Sequence, residues 1–182
     1  MRRIINSSYI SVDGVIEKPH EWPPSGPDGG VGGKVQADLL FACDAVIMGR
    51  RTYEGFAPVW AARTGDPFSD YMNSVAKYVV STTLRDPEWT NTTVLDQDPI
   101  GAIERMKGEQ GKDIVQYGFG PLTHALLDRG LVDEIRLWVH PLLVRGGGPQ
   151  DLLYRDGALT QLKLSDITRL DNDIVILSYE VR

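Results

Sequence analysis

An α/β architecture, with a mostly parallel sheet and an antiparallel C-terminal edge, follows from three features of this sequence. Short apolar runs alternate with helix-compatible stretches for the first two-thirds of the 182 residues, and crossover helices imply a parallel sheet covered on both faces. From Glu134 onward strands take over. Ile135, Leu137 and Val139 alternate with Glu134, Arg136 and Trp138, which predicts a strand with two unlike faces. Finally, two apolar runs end at glycine directly before a helical stretch: residues 45–48 before Gly49, and residues 114–117 before Gly118. Each junction aims free backbone N–H groups and the positive end of a helix dipole at one point.

Residues 2–11 read as a strand entering the core. Residues 12–33 contain Trp22-Pro23-Pro24 and Asp28-Gly29-Gly30; a loop this long in a compact domain is usually functional or disordered. Val35, Leu39, Leu40 and Ala42 fall at helical spacing, so residues 34–42 are expected to be helical, with Cys43 at the buried helix end. Residues 45–48 are the next strand, and 52–62 a helix broken around Pro58. Asp66-Pro67 is an N-cap with proline at N1, opening a short helix through Val75. Residues 77–82, β-branched and aromatic, predict a strand, and 92–95 a shorter one. Asp98-Pro99 is a second cap pair, and Ile100, Ile103 and Met106 line one face of the helix before Gly108. Residues 113–116 are a strand, and 121–129 a helix stopped by Gly130. Residues 145–149 form a glycine-rich loop. Residues 159–170 and 174–181 read as two strands turned at Asp171-Asn172-Asp173.

A hydrophobic share of 42% and a charged share of 24% are those of an ordinary soluble domain, expected to be one unit over residues 1–182. The net charge of −6 argues against a general nucleic-acid or anionic-membrane surface. No apolar run approaches a membrane span, and no leader is read in Arg2-Arg3 and the residues after them. The cytoplasm is therefore the expected location. With one cysteine, Cys43, there is no intrachain disulfide and no cysteine-based zinc set. His20, His124 and His140 share no ligand spacing, so no metal is expected. His124 and His140 read as packing or surface residues; His20, beside Glu21 and Trp22 in the long loop, is held open.

No G-x-S-x-G elbow and no Ser/His/Asp set is legible. Gly118-Phe119-Gly120 starts like a dinucleotide fingerprint, but Thr123 stands where glycine or alanine is needed. Gly33-Lys34 lacks both the first glycine and the hydroxyl of a phosphate loop, which are Asp28 and Val35 here. What remains is the pair of strand–glycine–helix junctions, with Arg50 and Arg51 adding fixed charge at the first. Such a pair suits both ends of a large anion, for which a dinucleotide is the obvious candidate.

The segments Ser11-Val12-Asp13-Gly14-Val15-Ile16, Val46-Ile47-Met48-Gly49-Arg50-Arg51-Thr52-Tyr53, Tyr78-Val79-Val80-Ser81-Thr82, Gln116-Tyr117-Gly118-Phe119-Gly120-Pro121-Leu122 and Gly130-Leu131-Val132-Asp133-Glu134-Ile135 together resemble the dihydrofolate reductase superfamily. The likeness is closest to the C-terminal reductase domain of bacterial riboflavin biosynthesis deaminase/reductases. It implies a three-layer fold with a mostly parallel sheet of about eight strands and an antiparallel C-terminal edge, and NADPH as hydride donor. By matching position, Gly49, Arg50, Arg51 and Thr52 would hold the pyrophosphate and adenosine phosphate. Ser81, Thr82 and Thr83 would lie against the adenosine ribose. Gly118, Phe119, Gly120, Pro121 and Leu122 would pass under the pyrophosphate and nicotinamide. Phe119 replaces the second of the family's paired glycines, and would either narrow the groove or cover the nicotinamide. Val12, Asp13, Gly14 and Ile16 would wall the nicotinamide.

The implied activity is NADPH-dependent reduction of a small heterocycle, nearest to 5-amino-6-(5-phosphoribosylamino)uracil reductase of riboflavin biosynthesis. Hydride chemistry resides in the cofactor, and the protein supplies alignment and a dry pocket. No catalytic residue is assigned. Two alternatives stand beside this one: dihydrofolate reductase proper, and a non-catalytic nucleotide- or heterocycle-binding protein on the same scaffold. The former places a carboxylate near Gly32 or Gly33, where this chain has none; Asp38 lies over a turn on and Asp28 in the loop. The substrate pocket is expected between the loop of residues 12–33, the helix from Lys34 and residues 53–60, with Trp22, Phe56 and Trp60 placed to stack on a flat ring. A homodimer through the C-terminal strands is a further expectation, with Trp138, Ile174 and Ile176 partly buried between subunits.

Overall fold

In a computed structural model that describes residues 1–27 and 29–182, the chain opens with β1 (Ile4–Ser11), α1 (Val31–Phe41), β2 (Cys43–Gly49), α2 (Arg50–Trp60) and α3 (Pro67–Ser74). It continues through β3 (Ala76–Val80), β4 (Thr92–Leu95), α4 (Pro99–Gly108), β5 (Asp113–Tyr117) and α5 (Pro121–Asp128). It closes with β6 (Glu134–His140), β7 (Leu162–Arg169) and β8 (Val175–Val181). Position 28 and the expectations placed on it lie outside the described residues.

The eight strands form one sheet in the order β4-β3-β2-β5-β1-β6-β8-β7. Every pairing from β4 to β6 is parallel, and β8 joins β6 and β7 antiparallel. The architecture is that of the dihydrofolate reductase-like fold. Alternation along the strands separates two cores. Ile5, Val46, Met48, Val79 and Val115 face α1, α2 and α3, where Leu40, Tyr53 and Met72 meet them. Ile4, Ala45, Ile47 and Ile114 face the other side, against Ile103 and Met106 of α4 and Leu126 of α5.

The two aspartate–proline pairs cap their helices. Asp66 accepts from the Ser69 amide at 3.0 Å, and Asp98 from the Gly101 amide at 3.2 Å. The far end of α3 is closed by Lys77. Its buried ammonium donates to the carbonyls of Met72 and Asn73 at 3.0 Å and of Val75 at 2.8 Å, and lies 4.7 Å from the Trp89 ring centre.

Four expectations change. Pro58 does not break α2, which runs on to Trp60; so close to the C-terminal end, a proline removes little of the hydrogen-bond ladder. Helix α1 begins at Val31, because Gly30 in the left-handed region (φ 82°) starts it. Gly32 and Gly33 then carry no side chain through which helical spacing could show. Cys43, although buried, is the first residue of β2. Trp138, Ile174 and Ile176 are buried within the chain itself, together with Leu170 and against Val35, and are not an intersubunit surface. Among the described residues, no helix is long and apolar enough to cross a membrane, and no group of three or more His, Cys, Asp or Glu is placed to hold a metal ion.

Candidate active site

β2 and β5 are parallel neighbours, with Met48 opposite Tyr117. The junctions that follow them therefore open side by side at one end of the sheet. α2 leaves toward one core and α5 toward the other, so the gap between β2 and β5 is a topological switch point, where open α/β sheets place their ligands. Gly118 sits at φ 79°, and a Cβ there would lie 2.3 Å from Thr52 Oγ1, so the two junctions touch. Gly49 and Gly120 start α2 and α5 with no side-chain cap, and a Cβ on either would meet nothing within 4 Å. The N-termini of α2 and α5 thus lie side by side without side-chain caps, as α1 also lacks one, whereas α3 and α4 are capped by aspartates. The turn is fixed from beneath by buried amides. Asn6 Nδ2 donates to the Gly118 carbonyl at 2.9 Å and to Gln116 Oε1 at 3.1 Å, and Gln116 Nε2 donates to Thr123 Oγ1 at 2.7 Å.

Arg50 pairs with Glu54 at 2.7 Å, and Arg51 with Glu17 of the long loop at 3.4 Å. The second pair draws that loop against the first turn of α2. β3 lies beside β2, with Val80 opposite Gly49, which brings residues 81–83 to the same end of the sheet. Ser81 is buried and its hydroxyl accepts the amides of Thr83 (3.1 Å) and Leu84 (2.8 Å), while Thr82 and Thr83 are exposed. Pro121 is the first residue of α5, and Leu122 packs toward the α4–α5 core. Phe119 packs on that same core, edge-on to His124 at 5.2 Å.

Residues 12–16 continue from β1 and are tied to residues 142–153. The Val12 amide donates to Leu142, the Ile16 amide to Asp151, and Leu153 to the Gly14 carbonyl. Asp13 accepts from Ser11 Oγ at 2.6 Å and from the amides of Arg145 (2.9 Å) and Val144 (3.1 Å). These bonds, the Ser11 hydroxyl first, hold its carboxyl down at about 2.

A cavity of about 320 Å³ opens on the α1 face, bounded by the loop 19–26, the start of α1, β1, β6 and the turn between β7 and β8. Trp22 lines it, as do Tyr9, Gln36, Trp138 and His140. Phe56 and Trp60 lie elsewhere under α2, Phe56 at 5.4 Å from the Tyr117 ring and Trp60 at 5.2 Å from Phe68. His140, only 9% exposed, stacks 4.7 Å from Tyr9 and 5.3 Å from Trp22. Its Nδ1 lies 3.3 Å from Ser25 Oγ, and its Nε2 has no hydrogen-bond partner. Burial lowers its pKa below the usual imidazole value. Gln36 Nε2 donates to Tyr9 Oη at 3.4 Å, and Gln36 Oε1 has no partner. From the sequence His140 reads as a packing or surface residue, and Gln36 carries no signal of its own. The available signal was His140 at the C-terminal end of its strand, two residues beyond Trp138 and so on the same face. No Asp, Glu, Lys or Arg lines the cavity among the described residues.

Residues 2–176 match the model of the family described as the RibD C-terminal domain. A Bacillus subtilis (strain 168) relative, the uncharacterized protein YyaP, is 28% identical over 156 residues, covering 81% of this chain and 79% of the relative. A pyrimidine reductase-like protein from Corynebacterium diphtheriae superposes with a TM-score of 0.72 at 14% identity, over 100% of this chain and 92% of that one. The Thermotoga maritima diaminohydroxyphosphoribosylaminopyrimidine deaminase/5-amino-6-(5-phosphoribosylamino)uracil reductase gives a TM-score of 0.68 at 13% identity, with all of this chain covering 57% of that one. At such identities the structural likeness is one of fold.

Proposed function

The chain belongs to the RibD C-terminal domain family, and on that footing we propose that it is an NADPH-dependent reductase of a small nitrogen heterocycle of the kind handled in riboflavin synthesis. The observation that carries this reading is the contact of Gly118 with Thr52, which joins two helix N-termini without side-chain caps into one groove at the sheet's switch point. Such a groove suits a pyrophosphate: N–H groups and dipoles converge on it, and Gly49 and Gly120 leave room for it. Arg50 and Arg51 supply charge at its α2 side, and the exposed hydroxyls of Thr82 and Thr83 stand where an adenosine ribose and its 2′-phosphate would reach. Residues 12–16, pinned through Asp13, would wall the nicotinamide end of that groove. When bound, the dihydronicotinamide supplies the hydride; the chain's part is to align ring and cofactor. The pyrimidine reductase-like protein of Corynebacterium and the uracil reductase of Thermotoga, as they are named, support a pyrimidine-like ring as acceptor.

Folate is disfavoured, because no carboxylate lines the cavity among the described residues and Asp38 is exposed and paired with Lys34. The test compares melting temperatures with NADPH and NADH at equal concentration, followed by loss of dihydronicotinamide absorbance with pyrimidine acceptors. The expected result is a larger shift with NADPH and oxidation that depends on the acceptor. No shift with either cofactor overturns the scaffold reading. A shift with no acceptor reduced makes the protein a binder that turns nothing over.

A further inference from the structure

We infer that this chain pairs with a second copy of itself through the bare apolar face of its C-terminal strands, the side of β6, β8 and β7 that looks away from α1. The inference goes beyond the reductase reading and does not depend on it.

Sidedness is the first ground. Trp138 and Ile176 point toward α1, where Val35 meets them. Neighbouring residues of a strand point to opposite faces. Leu137, Leu177 and Ile167, which form one row across β6, β8 and β7, therefore point away from α1. The row of Ile135, Tyr179 and Leu164 points the same way. The polar residues of the hairpin lie on the α1 side instead: Lys163 pairs with Glu180 at 3.2 Å, and Asp166 stands opposite Ser178. A strand pair patterned like this has its apolar face covered and its polar face in water. Here the apolar face is bare as well. Ile135 and Leu137 still reach the core beneath α4 and α5, but Leu177, Leu164 and Ile167 stand outside it. Leu164 and Ile167 are 46% and 58% exposed.

Area is the second ground. The strip is three strands wide, and its strands are seven or eight residues long, so it measures roughly 15 Å by 23 Å. With the relief of its side chains it offers on the order of 600 Å² per subunit, about 1,200 Å² for a pair, which is the lower bound for specific interfaces. A continuous apolar patch of that size marks an interaction surface on a monomer.

The lack of charge is the third ground, and it selects the occupant. Arg169, at the end of the strip, is already paired with Asp173 at 3.1 Å. The rows between offer no charged group by which a different protein could be chosen. An apolar patch crossed by a two-fold axis needs only its own copy as complement, and homodimer interfaces are the more apolar class. Two such sheets stack face to face about 10 Å apart.

The test is sedimentation velocity of the full chain, without cofactor, between about 1 and 100 μM. The expected result is a monomer–dimer equilibrium with a micromolar dissociation constant, in keeping with the modest area. Ile167→Glu places a carboxylate inside the strip and should raise that constant by about a hundredfold or more, which leaves a monomer across the range. Asp166→Lys, on the α1 side of the same strand, should change it by no more than about twofold. Both positions are exposed, so both variants should fold, and melting temperatures check this. They should rise with protein concentration in the unmodified chain and in Asp166→Lys, and stay level in Ile167→Glu. A monomer at every concentration in the unmodified chain overturns the inference. So does a dimer that Ile167→Glu leaves intact, or one that Asp166→Lys weakens as much, since that marks pairing along the β7 edge.

Discussion

Gly118 and Thr52 are packed so closely that a methyl group at position 118 would fall 2.3 Å from the Thr52 hydroxyl oxygen. With its φ of 79°, position 118 excludes side chains for two independent reasons, one conformational and one steric. Gly118→Ala should lower stability by about 2–4 kcal/mol in urea unfolding and abolish the NADPH-dependent rise in melting temperature. Thr52→Ala removes the oxygen that would clash and leaves the backbone strain. The double variant should therefore recover about 1 kcal/mol relative to the sum of the two single changes. Strict additivity would show that the junctions are not in contact.

Asp13 makes a loop anchor visible to pH. Its folded carboxyl lies near 2, against an ordinary value of 3.8, mainly through Ser11 and the Arg145 amide. The fold thus prefers the charged form, so the contribution of Asp13 is complete above about pH 4 and is lost as pH falls toward 2. Asp13→Asn should flatten the part of the stability profile that lies in that window. Hydrogen exchange should quicken at the Val144 and Arg145 amides in the variant, while the β5 amides keep their protection.

Lys77 gives a slope of the same sign at high pH. Burial lowers its ammonium from 10.5 to about 8, so between those values the unfolded chain binds the extra proton and stability rises with pH. Below 8 the charged group still closes the end of α3 on three carbonyls. Lys77→Met should cost about 2–4 kcal/mol at pH 7, because those carbonyls lose their donor, and should remove the rise between pH 8 and 10.5. Chemical denaturation at a series of pH values checks both.

The elements legible in the sequence were those with local signals. Thr92–Leu95 shows as a β-branched run, and α3 and α4 show as Asp-Pro caps followed by one apolar face. The paired junctions were legible for the same reason, since a strand, a glycine and a helix are contiguous in the chain. Helix α1 lost its first turn because its start is glycine-rich. The cavity was harder still. Its walls come from residues as far apart as Tyr9, Gln36, His140 and Ile174, and only the pairing of β1 with β6 and of β6 with the β7–β8 hairpin brings them together. Local spacing put Trp138 and His140 on one strand face, but could not say that α1 would cover that face. Phe56 and Trp60, chosen for their position after the first junction, pack instead beneath α2, on Tyr117 and Phe68.

Arg50 and Arg51 carry the sharpest functional prediction. Glu54 and Glu17 hold the two guanidinium groups at the first turn of α2, where an anion would also gain from the helix dipole. Changing both to alanine should weaken NADPH by about 1.5–3 kcal/mol, the loss expected for hydrogen bonds to a charged group. If either arginine reaches the 2′-phosphate, NADH should weaken less, and the gap between the cofactors should narrow as salt is added. Glu17→Gln releases Arg51 from its carboxylate and should tighten NADPH slightly. Calorimetric titration of both cofactors into the three proteins separates the cases. Equal losses confine the arginines to the shared pyrophosphate, and unchanged binding of both cofactors removes them from the site.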